Sequence, residues 1–196
     1  MTVDPRPARG RIGSDPDLAD VRAAQRDRAA FGALYRRYLD RVYGYCFYLL
    51  GDHHDAEDVT ERTFVSALAA IDGFRDEGAT FRAWLFRIAH NQLVNALRSR
   101  HRQRAASLEA VTEPRTVADP AGLLGLAEEA RGLRRALEQL SDDRRQVVVL
   151  RFVDGLSARE IGAVIGRSEG AVRVLQHRAL RQLAEMLAAG GHGPTV

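Results

Sequence analysis

Apolar residues recur along most of this chain at three- and four-residue steps, the spacing that places them on one face of a helix. Phe31, Leu34, Tyr35, Tyr38, Val42, Cys46 and Leu49 follow it up to Gly51, which predicts a long, aromatic-rich core helix stopped by a glycine. Asp15-Pro16 opens a shorter helix before it, running to about Gln25, with proline in the tolerated first turn. A third helix is expected from Asp55 to about Ile71. Val59, Thr63, Phe64, Ala67 and Leu68 share its buried side, while Asp55, Asp58 and Glu61 stay outside and suit the helix dipole. After a loop from Gly73 to Ala79, Thr80 caps a fourth helix to about Arg100 that buries Phe81, Trp84, Leu85 and Ile88. From about Ala105 to Pro120 the periodicity is lost, and Pro114 and Asp119-Pro120 break any helix. Leu123 to Leu140 resumes it, then Ser141-Asp142-Asp143 caps a helix with Val147, Val148, Leu150 and Phe152 that ends at Gly155.

No stretch alternates as a strand does, so the expected fold class is all-α. Two small helical domains are expected, at residues 15–104 and 122–188, joined by a flexible linker at 105–121 and flanked by tails at 1–14 and 189–196. Roughly 16 linker residues span at most about 50 Å, or about one and a half turns of B-DNA.

The segment from Ser157 to Leu187 carries the sharpest local pattern. Ser157-Ala158-Arg159-Glu160 fits a capping box, and Ile161, Val164 and Ile165 supply the buried side of the helix it starts. Gly166-Arg167-Ser168 makes a turn, Ser168 is the next cap, and a second helix runs through Met186. There Val172, Leu175, Ala179, Leu183 and Met186 share one arc, while Arg173, His177 and Arg181 line another. With Arg167 and Arg178 nearby, this is a helix-turn-helix whose second helix suits the major groove. A plain helical hairpin with a solvated arginine face is the alternative.

The fourth helix adds a second polar surface. Arg87, Asn91, Asn95, Arg98 and Arg102 continue from Trp84 at steps of three or four. Cations for phosphates, amides for base edges and a flat ring for stacking suit a single-stranded nucleic acid. Trp84 fits a packed core equally well.

A net charge of +3 and a pI near 9.5 would not alone argue for nucleic acid. The charge is concentrated, though, in Arg98, Arg100, His101, Arg102 and Arg104 and again in the last helix. No apolar run approaches the roughly 20 residues needed to cross a bilayer, and Met1 to Ser14 has no apolar signal region, so no membrane association and a cytoplasmic location are expected. The single cysteine, Cys46, sits among Tyr45, Phe47 and Leu49 and reads as a packed small side chain. His53-His54 beside Asp52 and Asp55 do not converge on one ion in a helix, so neither a metal, a cofactor nor an enzyme is expected.

Together these blocks resemble the extracytoplasmic-function (ECF) class of bacterial sigma-70 family sigma factors, over about Asp17 to Leu187. The likeness rests on Ala30 to Tyr35, Asp55-Ala56-Glu57-Asp58-Val59-Thr60 with Phe64, and Phe81 to Asn91. It continues in Leu150-Arg151-Phe152, Gly155-Leu156-Ser157, Glu160-Ile161-Gly162 and Gly170-Ala171-Val172-Arg173. It implies a region 2 domain and a region 4 domain with no region 3 between them, and core RNA polymerase and promoter DNA as partners. In such proteins the acidic helix meets the beta-prime clamp helices, here through Asp55, Asp58 and Glu61, and region 4 also meets the beta flap.

By the same likeness, the loop from Phe74 to Thr80 and the following helix capture unpaired minus-10 bases. The candidates are Phe81, Arg82, Trp84, Arg87, Asn91, Asn95 and Arg98. Arg173, His177 and Arg178 match positions that read the minus-35 element, with Arg167, Ser168 and Arg181 beside them. Relatives are often held inactive by an anti-sigma factor. Many also carry Gln-Glu where this chain has Glu61-Arg62, which rearranges the expected clamp contact. The competing function is a conventional helix-turn-helix regulator that binds duplex DNA without polymerase.

Overall fold

A computed structural model describes residues 15–76, 79–106, 132 and 135–189. Every regular element among them is helical. The N-terminal unit contains α1 (Leu18–Arg26), α2 (Phe31–Leu50), α3 (His53–Ala70) and α4 (Phe81–Ala106), with short 3-10 turns at Arg28–Ala30 and Ile71–Gly73. The C-terminal unit contains α5 (Asp142–Val148), a π-helical turn (Val149–Val153), α6 (Ala158–Ile165) and α7 (Glu169–Ala189). The expected tail at 1–14, most of the linker and most of the helix from Leu123 lie outside the described residues.

α2 is the spine of the first unit. Phe31, Leu34, Tyr38, Val42, Tyr45, Cys46 and Leu49 are buried along it, and Gly51 closes it at φ 71°, a left-handed conformation that glycine adopts without strain. Tyr35, expected inside, is 40% exposed because its ring lies edge-on over Phe64 at the rim. α3 buries Thr60 and Thr63, whose hydroxyls donate to the carbonyls of Ala56 and Val59, each at 2.7 Å, so neither is left unpaired.

α1 starts two residues later than Asp15-Pro16 suggested, because the Asp15 carboxylate serves another helix. It accepts the Asp17 amide at 3.0 Å and the Phe81 amide at 2.5 Å, satisfying a free N–H at the start of α4. Asp17, also buried, accepts from the Tyr38 hydroxyl and from Arg37. α4 itself runs six residues past the expected Arg100.

In the second unit Arg145 donates to the carbonyls of Leu137, Glu138 and Leu140, closing the end of the preceding helical segment. Ser141 precedes α5 but makes no side-chain cap bond, unlike the expectation. Where one continuous helix through Phe152 was expected, the backbone widens into the π turn, with the Leu156 amide donating to Leu150 at 2.9 Å. The widening turns Phe152 outward, 57% exposed, and sends Asp154 fully inside.

The two units are closed on each other. Their buried apolar side chains form one continuous cluster, with α6 on α4 and the π turn on α2.

Candidate nucleic-acid interface

The helix-turn-helix is built as its sequence dictates. Ser157 Oγ accepts the Glu160 amide at 3.2 Å while the Glu160 carboxylate accepts the Ser157 amide at 2.9 Å, so two free N–H groups at the start of α6 are satisfied. Gly166 ends α6 at φ 70°. Gly162 is required by space: a Cβ there would stand 2.5 Å from the Arg167 carbonyl oxygen, so the turn closes only against a bare backbone. Ser168 Oγ accepts the Ala171 amide at 3.2 Å and caps α7.

α7 buries Val172 and Ala179 and leaves Arg173, His177, Arg178 and Arg181 exposed on its other face. Arg173 meets Glu169 at 2.5 Å, Arg181 meets Glu185 at 3.5 Å and Arg167 meets Asp143 at 3.0 Å. Such exposed pairs contribute about 0.2–1 kcal/mol each, little enough for DNA phosphates or guanine edges to replace them.

On α4, Asn91, Asn95, Arg98 and Arg102 are exposed in one row. Trp84 is half-buried, with its ring against Phe74 at 5.4 Å and Phe81 at 5.5 Å, so one side packs and the other borders solvent. Phe81 departs from the expected DNA contact. It is wholly buried between Tyr38 and Phe74, so its part is to hold Trp84 in place. Arg100 turns away from the basic row to the Leu50 carbonyl and to Asp55, at 3.5 Å.

The head of this surface lies in the seam. Arg82 donates to both oxygens of Glu160 at 2.9 Å, the Thr80 hydroxyl donates to the same carboxylate at 2.8 Å, and Arg87 reaches the Ala163 carbonyl at 3.2 Å. Burial alone would raise the Glu160 pKa, but the Ser157 amide, Arg82 and Thr80 outweigh it and hold it at about 2.

Nearby, Asp154 is 0% exposed and neither carboxylate oxygen has a hydrogen-bond partner. Arg41 Nε stands 3.8 Å from Oδ1, too far for a bond, and spends another donor on the Asp154 carbonyl. Burial therefore pushes this carboxyl up to about 7, although Arg41 and Arg82 pull it down.

The acidic side chains of α3 form a separate surface. Asp58, Glu61, Arg62, Val65, Ser66 and Gln92 line a shallow groove of about 310 Å³. Arg62 folds back onto Asp58 at 3.2 Å. Val65, 62% exposed, was not singled out from the sequence, although its place one turn beyond Glu61 on the polar side of α3 marks it as unpartnered. Arg41, Asp154 and the second task of Glu160 were also missed, since their partners are distant in sequence.

No group of three metal-ligating side chains occurs among the described residues, and none of their helices is long and apolar enough to cross a membrane. His53 is held by the Tyr43 hydroxyl and stacks on Phe47 at 4.3 Å. Burial pushes the Cys46 thiol up to about 12, so it stays an unreactive core side chain.

Residues 34–103 match the Sigma-70 region 2 family and residues 130–183 the Sigma-70, region 4 family. The chain is 36% identical over 183 residues to the ECF RNA polymerase sigma factor BldN of Streptomyces coelicolor, covering 90% of this chain and 69% of that protein. It is 34% identical over 198 residues to SigD of Mycobacterium tuberculosis, covering 97% and 92%. Among solved structures it resembles CnrH in complex with the cytosolic domain of CnrY, at TM-score 0.65 and 32% identity over 88% of this chain and 97% of that one. It also resembles the Bartonella quintana sigma factor RpoE in complex with the anti-sigma factor NepR, at TM-score 0.69 and 28% identity over 81% and 96%. An all-helical chain whose two matched regions carry an exposed basic-amide row and a capped helix-turn-helix thus belongs to the ECF RNA polymerase sigma factors of the sigma-70 family.

Proposed function

We propose that the chain acts by binding alone, in the cytoplasm, with its two DNA-facing surfaces used in sequence. Region 4 brings α7 to duplex DNA, where Arg173, His177 and Arg178 read the minus-35 element and Arg167, Ser168 and Arg181 hold flanking phosphates. Region 2 then captures melted minus-10 strand with Arg82, Trp84, Arg87, Asn91, Asn95 and Arg98. Asp55, Asp58 and Glu61 dock on the beta-prime clamp helices, with Val65 supplying apolar contact beside them. Preference for unstacked over paired bases shifts the duplex toward its open form, which a ligand achieves only through such a difference in affinity.

The observation that supports this most is the pairing, on one sigma-family chain, of an exposed row on α4 beside a half-buried tryptophan with an exposed arginine face on α7. The closed seam takes up Arg82 and Arg87, so strand capture requires the units to part. An anti-sigma factor would favour one arrangement of the two units over another.

Run-off transcription with core polymerase and fragmented genomic DNA tests this function. New discrete starts preceded by two elements at fixed spacing are expected. No starts, together with tight duplex binding by the chain alone, would favour the conventional regulator. Once the promoter is known, Arg173→Ala should cost about 1–3 kcal/mol of discrimination at one base pair if the contact is bidentate. An equal loss on all sequences would make it a phosphate contact.

A further inference from the structure

We propose that Arg41 is a phosphate-binding residue of the single-strand site, and that Glu160 and Asp154 occupy, in the closed form, the anion positions that DNA phosphates take on Arg82 and Arg41. This rests on the strand-binding role of region 2 above and adds to it a residue and a form of self-occlusion.

Arg41, Arg82 and Thr80 line one cavity of about 370 Å³, together with Arg37, Tyr38, Asp15 and Asp17. The three arginines are not equivalent. Arg37 is neutralised within its own unit by Asp17 and by Asp20 at 2.7 Å. Among the described residues, the ion pairs of Arg41 and Arg82 both go to the other unit, whereas Asp15 and Asp17, the acids of their own unit in this cavity, are spent on the Asp17 and Phe81 amides, the Tyr38 hydroxyl and Arg37. When the units part, Arg37 keeps its counter-charges while Arg41 and Arg82 lose theirs. Two guanidinium groups and a hydroxyl then remain in a cavity one turn from Trp84, at the head of the base-facing row.

The contacts made by the acids resemble those of a phosphate. Arg82 Nη2 lies 2.9 Å from both Glu160 oxygens and the Thr80 hydroxyl donates to one of them at 2.8 Å, so a charged nitrogen and a hydroxyl hold the oxyanion as they would hold a phosphate oxygen. Asp154 fills its position less well, 3.8 Å from Arg41 Nε and with both oxygens unbonded. A buried carboxyl so placed costs desolvation without full return, so the Arg41 end of the seam is the one a better anion displaces first.

The test measures binding of fluorescein-labelled oligothymidylate of about 30 nucleotides to the full chain by anisotropy across a salt series. Glu160→Gln removes the carboxylate that Arg82 and Thr80 hold while keeping a capping-box side chain at position 160, and Asp154 is left in place because a neutral side chain there would favour closure. If the closed form holds about nine molecules in ten, this variant binds up to about tenfold more tightly, because apparent affinity scales with the competent fraction. In that background Arg41→Ala should lower the slope of log K against log salt by about 0.7, and Arg41→Lys should restore it. Saturating oligonucleotide should also enlarge the wild-type radius of gyration in X-ray scattering.

Unchanged affinity in Glu160→Gln overturns the occlusion. An unchanged slope in Arg41→Ala, with circular dichroism showing a folded protein, overturns the phosphate contact. Loss of slope in both Arg41→Ala and Arg41→Lys marks Arg41 as structural and overturns it equally. Discrete run-off starts with no Arg41 effect would leave the promoter role standing without this site. The Arg41 slope effect without starts would do the reverse.

Discussion

Closure of the two units should depend on pH through Asp154. Its carboxyl titrates near 7 when buried in the seam, whereas an aspartate in water titrates near 3.9. The closed form therefore binds the proton more tightly. Its advantage is complete below about pH 4 and is lost as pH rises through about 7. With the open form ionised throughout, the closed-to-open ratio scales as one plus ten to the power of the closed-state pKa minus the pH. Between about pH 6 and pH 8 it falls about tenfold, or about 1.4 kcal/mol, and levels off above that. His90, half-buried, is held below its ordinary value by burial and Arg87 although Asp143 pulls it up, so it opposes this trend at the acid end. Small-angle scattering of the free chain at fixed ionic strength reads the ratio as a mixture of two radii. Asp154→Asn should abolish most of the change. A variant that keeps the tenfold dependence would refute the assignment to Asp154, as would a wild-type chain that opens as pH falls from about 8 to about 6; below about 4.5 the seam also loses the Glu160 contacts, which act in the opposite sense.

Gly162→Ala should destabilise the C-terminal unit by about 1–3 kcal/mol in chemical denaturation, since its new methyl meets the Arg167 carbonyl oxygen; a cost under about 0.5 would mean the turn yields easily. Phe86→Ala removes a fully buried ring that packs edge-on against Tyr45 at 5.6 Å, and should cost about 3–5 kcal/mol by the same measurement. Asp17→Ala strips the buried Tyr38 hydroxyl and Arg37 of a shared acceptor and should cost about 3 kcal/mol, with Asp17→Asn milder; equal losses would show that the charge is essential. Val65→Asp should weaken pull-down of core polymerase while leaving oligothymidylate binding unchanged, because Val65 lies in the α3 groove and not on the α4 row.

The helices were legible wherever their signals are local. The three-and-four rhythm from Phe31 to Leu49, the stop at Gly51, and the capping box at Ser157 with Glu160 all act within a turn or two, and each stands where the sequence places it. The exposed residues of α4 and α7 followed from the same periodicity. What escaped was decided across the chain. Asp15 reads as the start of its own helix until the amide of Phe81, 66 residues away, claims its carboxylate. Glu160 reads as a cap until Arg82, 78 residues away, shares it. The π turn has no residue pattern of its own, yet it reverses Phe152 and Asp154, sending the aromatic outward and the acid inward. Phe81 was grouped with the DNA-facing residues by its place in a motif, whereas Tyr38 and Phe74 enclose it.

One carboxylate, that of Glu160, both starts a helix and fastens the seam. Few replacements other than glutamine keep that cap, so the strength of closure is more freely adjusted from the opposite side, at Arg82. Yet under the proposed function Arg82 is also a cation offered to the strand. Two properties a cell would want to set separately, how readily the chain shuts itself off and how firmly it grips melted DNA, are thus tied to one guanidinium. A substitution there that loosens closure also loosens the grip, so chains of this design face a trade-off between silence when idle and strength when engaged.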